Sequence, residues 1–173
     1  MTGRPGPKGT SGVSSTLPTK IAQTFPLLKK QEPGLRMVLV AGPRVPRETL
    51  PVHDGLDVLP YVHNLFEHLA CADLAMVQGG LSTCMELVAT RRRFLSFPLE
   101  RHFEQCIHVR NRLHNYCADC AVKFRELSVR ELADKALETM AAPVRYKPVE
   151  TDGAERAAKE ILAVMENRHW AAA

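Results

Sequence analysis

The chain has 173 residues, 45% of them hydrophobic and 24% charged, with a net charge of +4 at pH 7. This suits one ordinary soluble domain with a core of useful size. No stretch approaches the roughly 18–20 apolar residues that span a bilayer, and the N-terminus lacks the apolar region of a secretory signal. The mild positive charge permits an anionic ligand or a lipid headgroup surface without requiring either, and no nucleic-acid partner is expected.

Residues 1–16 (MTGRPGPKGTSGVSST) are rich in Gly, Pro, Ser and Thr and read as a leader or loop before a domain spanning 17–170. A helix is expected from Leu17 to Lys30, interrupted or ended near Pro26. Met37 to Val40 are continuously apolar and are stopped by Gly42-Pro43, which predicts a buried strand. A second strand is expected at Leu56 to Leu59, a short helix in HNLFEHLACA, and a third strand in DLAMVQ. STCMELVATR predicts a helix with Ser82 or Thr83 as N-cap. The basic run Arg91-Arg92-Arg93 reads as a solvated helix end or as an anion or lipid contact. RFLSFP is a strand ended by Pro98, EQCIHVRNRLHNY an amphipathic helix, and CAVKFR a further strand. SVRELADKALETMAA opens with the capping box Ser128 to Glu131, and DGAERAAKEILAVMEN is a C-terminal helix with Asp152 near its start. No internal repeat is visible.

Apolar strands thus alternate with helices. That pattern predicts an α/β domain, a doubly wound parallel sheet covered on both faces. Five cysteines are an odd count, and a reducing cytoplasm is the simplest setting. Cys71, Cys84 and Cys106 lie in apolar segments and read as small buried residues. Cys117 and Cys120 form a CxxC, but no second ligand pair for zinc accompanies it, and Cys120 reads as entering a strand rather than opening a helix. His63, His68, His102, His108 and His114 show no metal spacing with a third ligand. Neither a metal nor a cofactor is expected.

In doubly wound sheets ligands sit at the carboxyl ends of strands, where loops turn into helices. The stretch MVQGGLSTCMEL lies at such an end. Gly79 and Gly80 let the backbone turn and let a ligand approach closely. The first N–H groups of the following helix lack internal partners, and the helix dipole favours an anion there. Ser82 and Thr83 add hydroxyl donors, which makes a phosphate cradle, although no Lys follows as in a Walker loop. Glu86, one turn in, would repel phosphate but could accept bonds from sugar hydroxyls. After the next strand, Glu104-Gln105 open a helix and could hold the hydroxyls of a second sugar. At Tyr61-Val62 the backbone could read a base edge. Each feature also has a purely structural reading: a loop with an N-cap, an acidic first helical turn, and an ordinary strand-to-helix connection.

The segment from Gly55 through Leu113 resembles the C-terminal, nucleotide-sugar-binding domain of GT-B glycosyltransferases, most similarly the bacterial peptidoglycan UDP-N-acetylglucosamine transferase and its relatives. The resemblance rests on GG-x-ST-x-x-E followed about 18 residues later by an acid-Gln pair, and it extends to PGLRMVLVAGPR and DGAERAAKEIL. It implies a metal-independent transfer of a hexosyl group from a UDP-sugar, the C-terminal half of a GT-B fold, and a Rossmann-like sheet. By motif match the resemblance assigns the donor diphosphate to Gly79, Gly80, Ser82 and Thr83, with Gln78 beside them. It assigns the ribose to Glu86, the donor sugar to Glu104 and Gln105, and the base to Tyr61 and Val62. Thr10, Ser11 and Gly12 resemble the family's glycine-rich loop near the diphosphate.

Several features depart from the family pattern. Gln78 stands where many relatives have His, and Arg93 where many have Pro or Lys. The family's first central strand has no apolar counterpart in residues 1–8, and there is no room for the acceptor-binding domain that usually supplies the catalytic base. The resemblance therefore implies a donor-binding half, inactive alone, completed by an N-terminal domain or a separate subunit, as in the eukaryotic split transferase. A non-catalytic nucleotide-sugar-binding subunit and part of a UDP-GlcNAc 2-epimerase-like enzyme are the alternatives. A cytoplasmic setting, compatible with peripheral membrane contact, is expected.

Overall fold

The computed structural model describes residues 12–43 and 45–167. Four short strands, β1 (Met37–Val40), β2 (Leu56–Leu59), β3 (Leu74–Gln78) and β4 (Arg93–Phe97), alternate with helices, and every pairing is parallel. The helices in chain order are α1 (Gly12–Gln31), a 3-10 turn at Arg47–Thr49, α2 (Leu65–Cys71), α3 (Leu81–Ala89), a π-helical turn Glu104–Val109 running into α4 (Arg110–Asn115), α5 (Val129–Ala141) and α6 (Gly153–Asn167). No helix among the described residues is long and apolar enough to cross a membrane.

The expected single doubly wound sheet is present in part. The strands form two pairs, β1–β2 with Met37 opposite Leu56, and β3–β4 with Gln78 opposite Phe97. Among the described residues no ladder joins the pairs. The strand expected in CAVKFR shrinks to one parallel bridge between Ser96 and Ala121. Lys123 and the residues after it leave the sheet in a turn closed by Glu126 N–H to the Lys123 carbonyl.

Side-chain alternation places β3–β4 between two cores. Leu95 and Phe97 face α1 and α5, with Ile21, Phe25, Leu28, Leu132 and Ala136. Phe94 and Ala75 face α3 and α4, with Cys84, Leu87, Val109 and Leu113. This pair is covered on both faces, as its unbroken apolar runs require. On β1 and β2, Leu39, Leu56 and Val58 enter the first core, whereas Val38 is half exposed and Asp57 pairs with Arg36 at the surface.

Helix α1 does not stop at Pro26; it runs from Gly12 to Gln31 through both Pro18 and Pro26. A mid-helix proline costs about 3 kcal/mol. Pro26 lies on the exposed face, while Ala22, Phe25 and Leu28 beneath it are almost fully buried. Burying Phe25 and Leu28 alone stabilises by roughly 3–6 kcal/mol, enough to carry the helix through the break. The Arg run is also more than a solvated end. Arg91, at φ 54°, donates to the carbonyls of Tyr146 and Val144, and Arg93 Nε donates to that of Ala142. Together they pin the extended segment after α5 across the end of α3.

Of the three cysteines expected to be buried, Cys84 is fully so and Cys106 half so, but Cys71 is exposed near the end of α2. α2 is a short helix whose described residues include none that is buried, so an apolar segment there does not bury its thiol.

Candidate functional site

Because Gln78 and Phe97 end adjacent parallel strands in register, the loops after β3 and β4 leave the same edge of the sheet. The first loop is the Gly-Gly turn. Neither glycine has the left-handed φ that would itself demand glycine, so their value is spatial. A Cβ on Gly79 would lie 3.0 Å from Pro98 Cα and 3.2 Å from Pro98 N, so Gly79 lets the two loops touch. A Cβ on Gly80 would meet nothing within 4 Å among the described residues; the backbone there faces space open with respect to them.

Gly80, not Ser82 or Thr83, is the N-cap of α3. The expected hydroxyl caps instead sit in the first helical turn. Gly80 supplies its carbonyl to Cys84 N–H, and among the described residues no side chain caps the helix. Among the described residues nothing accepts from the N–H groups of Leu81, Ser82 and Thr83. Three donors unpaired among the described residues, at the positive end of a helix dipole, form an arrangement chemically suited to an anion.

Ser82 and Glu86 lie four residues apart and share a helix face, while Cys84, Leu87 and Val88 bury the opposite face. The Glu86 carboxylate is half-buried and has no partner among the described residues. Gln78, at the strand end, is exposed.

The second loop meets the first through Pro98. Leu99, the next residue, donates its N–H to Gln105 Oε1 at 3.0 Å, which brings the acid-Gln pair to the edge where the Gly-Gly turn lies. α3 also packs against the π-helical turn that contains Glu104 and Gln105. Glu104 is exposed in the first turn of that element. Sequence reading expects an ordinary amphipathic α-helix here; the π opening carries no composition signal that would reveal it.

Tyr61 and Val62 follow β2, in the other strand pair; Tyr61 is exposed and Val62 buried. Gly12 is the first residue of α1. Thr10 and Ser11 lie outside the described residues. The structure thus brings Gly79, Gly80, Ser82, Thr83 and Glu86 together with Gln105 at one sheet edge.

Behind α3 lies a group of neutral thiols and a phenol. Cys84 is pushed up to about 12, by burial first and by Cys120 second. Burial likewise raises Cys120, partly offset by its 3.5 Å contact with the Tyr146 hydroxyl, and burial raises Tyr146. Cys117 of the CxxC is exposed, at a φ of 57°. Among the described residues no three His, Cys, Asp or Glu side chains group as a metal site.

Residues 9–165 match the Glycosyltransferase family 28 C-terminal domain. A glycosyltransferase of Methanosarcina acetivorans, described only as uncharacterized, is 32% identical over 77 residues, 44% of this chain and 20% of that protein. One from Methanosarcina mazei, described in the same words, is 31% identical over 77 residues with the same coverage. The matched stretch thus spans about a fifth of those curated relatives' length. The site edge, its Gly-Gly-x-Ser-Thr turn and the match over nearly the whole described chain lead to one assignment: this chain belongs to the glycosyltransferase family 28 C-terminal domain family.

Proposed function

We propose that this chain is the donor-binding half of a UDP-sugar glycosyltransferase of the UDP-GlcNAc type. The observation that carries the reading is the N-terminus of α3, where among the described residues no side chain caps the helix and nothing accepts from the N–H groups of Leu81, Ser82 and Thr83 beside Gly80. There the donor diphosphate accepts from the helix, and the Ser82 and Thr83 hydroxyls add donors. Glu86, four residues on, accepts from the ribose hydroxyls. Glu104 and Gln105 orient the hexosyl group, and the backbone near Tyr61 and Val62 meets the base.

During transfer, the charge that develops on the departing UDP is stabilised by pre-aimed N–H dipoles. Holding the sugar in one orientation contributes through proximity. The acceptor and the general base belong to an N-terminal domain or partner subunit, so the chain alone does not turn over. The same completing segment or partner supplies a strand that joins the two strand pairs into one sheet. The setting is cytoplasmic, with peripheral membrane contact allowed by the exposed basic residues.

A second reading, a non-catalytic nucleotide-sugar-binding subunit, draws on Gln78. An exposed neutral amide at the strand end can donate a hydrogen bond but brings no positive charge to the leaving diphosphate. A UDP-GlcNAc 2-epimerase-like enzyme is the third; formation of the epimer, rather than transfer to an acceptor, by the chain combined with its completing half separates it from the transferase. The binding role is tested by calorimetric titration of UDP into the parent and Glu86→Ala. Losing hydrogen bonds to a charged acceptor should weaken binding by about 1.5–3 kcal/mol. Equal affinities would remove Glu86 from the site.

A further inference from the structure

The loop after β4 is closed on itself by four hydrogen bonds. The Leu99 N–H donates to Gln105 Oε1 at 3.0 Å, and the Leu99 carbonyl accepts from Cys106 Sγ at 3.0 Å. The same carbonyl accepts from His102 N–H at 2.9 Å, and the His102 carbonyl accepts from Cys106 N–H at 3.0 Å. Two successive side chains at the opening of the π-helical turn thus grip both backbone groups of one residue. A carboxamide can normally turn over and exchange its oxygen for its nitrogen. Here it cannot do so freely, because only the oxygen can accept from the Leu99 N–H. Nε2 is the atom left without a partner among the described residues. Nε2 only donates, so any group that it gains must accept.

We propose that Cys106 is a positioning residue which, by holding Leu99, locks the Gln105 carboxamide in its donating orientation, so that the site selects a nucleotide sugar through a sugar oxygen that accepts from Gln105 Nε2. The inference rests on the donor-site reading above and deepens it. It divides the site into two energetically separable parts. The α3 N-terminus and Glu86 bind the nucleotide, and the Leu99 clamp adds the increment for the sugar. Cys106 is half-buried, and its thiol touches the loop rather than the nucleotide end. Losing its bond should loosen the amide without disturbing α3.

The test is calorimetric titration of UDP and of UDP-GlcNAc into the full chain and into Cys106→Ala, Cys106→Ser and Gln105→Glu. The ratio of the two affinities isolates the sugar increment. In Cys106→Ala this ratio should fall about fivefold with UDP affinity unchanged, the size of one neutral hydrogen bond. Cys106→Ser keeps a donor for the Leu99 carbonyl and should restore the ratio. Gln105→Glu keeps the oxygen for the Leu99 N–H but loses the donor, and its ratio should fall at least as far. Parallel losses for UDP and UDP-GlcNAc in Cys106→Ala would show a general structural role and overturn the proposal. So would an unchanged ratio, or equal affinities of the parent for both ligands, while leaving the UDP site standing. If the parent binds neither ligand, the donor-site reading itself fails and the proposal falls with it.

Discussion

The two glycines of the Gly-Gly turn should fail in different ways when each becomes alanine. In Gly79→Ala the new methyl sits 3.0–3.2 Å from three atoms of Pro98, two of them backbone, and the ring keeps Pro98 from yielding easily. Relief requires the loops after β3 and β4 to move apart, an overpacking cost of about 1–3 kcal/mol. In Gly80→Ala the methyl meets none of the described residues within 4 Å, and a φ of −75° suits alanine. The fold then loses only the poorer N-cap preference of alanine, about 1 kcal/mol or less. The methyl would, however, stand in the open space at the start of α3, through which the proposed phosphate must pass to bring its oxygens within about 2.9 Å of the N–H groups. Losing one charge-assisted bond is worth roughly 1.5–3 kcal/mol, a ten- to hundredfold drop in UDP affinity. Urea denaturation reads the first effect and calorimetric titration the second. Parent-like UDP affinity in Gly80→Ala would refute the use of this space by a ligand. Parent-like stability in Gly79→Ala would refute the close approach of the two loops.

Thiol chemistry should follow burial. At pH 8 Cys71 and Cys117 should react with a soluble disulfide reagent, whereas Cys84, pushed up to about 12 and fully buried, should react only after unfolding. The cap of α5 should be acid-sensitive. Bonds from Ser128 lower the Glu131 carboxyl below its usual value, so its contribution is complete above the ordinary carboxylate range and fades as pH falls through the depressed value. Thermal melts of the parent and Glu131→Gln between pH 2 and 7, the range about the usual carboxylate value, should converge only at the acid end. Ser128→Ala should cost about 1 kcal/mol near neutral pH, read by urea denaturation.

Much of this architecture was legible because local rules and tertiary packing agree. Met37–Val40 and Leu56–Leu59 are strands at the residues where their patterns place them, and Ser128 with Glu131 forms the capping box that its spacing predicts. Where the two levels conflict, packing prevails. Pro26 is overridden by the buried face of α1, and Ala121 makes one bridge before Lys123 turns away. The composition of the Gly-Gly turn pointed to a sharp turn and the close approach of a ligand, but not to the packing of Gly79 against Pro98. Pro98 is 19 residues on from Gly79, and only the parallel register of β3 and β4 brings it there. The Leu99 clamp depends on a π-helical turn, which no periodicity announces.

Whether the α3 N-terminus takes a uridine nucleotide is the central question. Isothermal titration of UDP into the purified chain, with ADP as the control and circular dichroism establishing that the chain is folded, decides this. A donor site at the α3 N-terminus predicts saturable binding selective for UDP over ADP. No saturable UDP binding in the folded chain would contradict it.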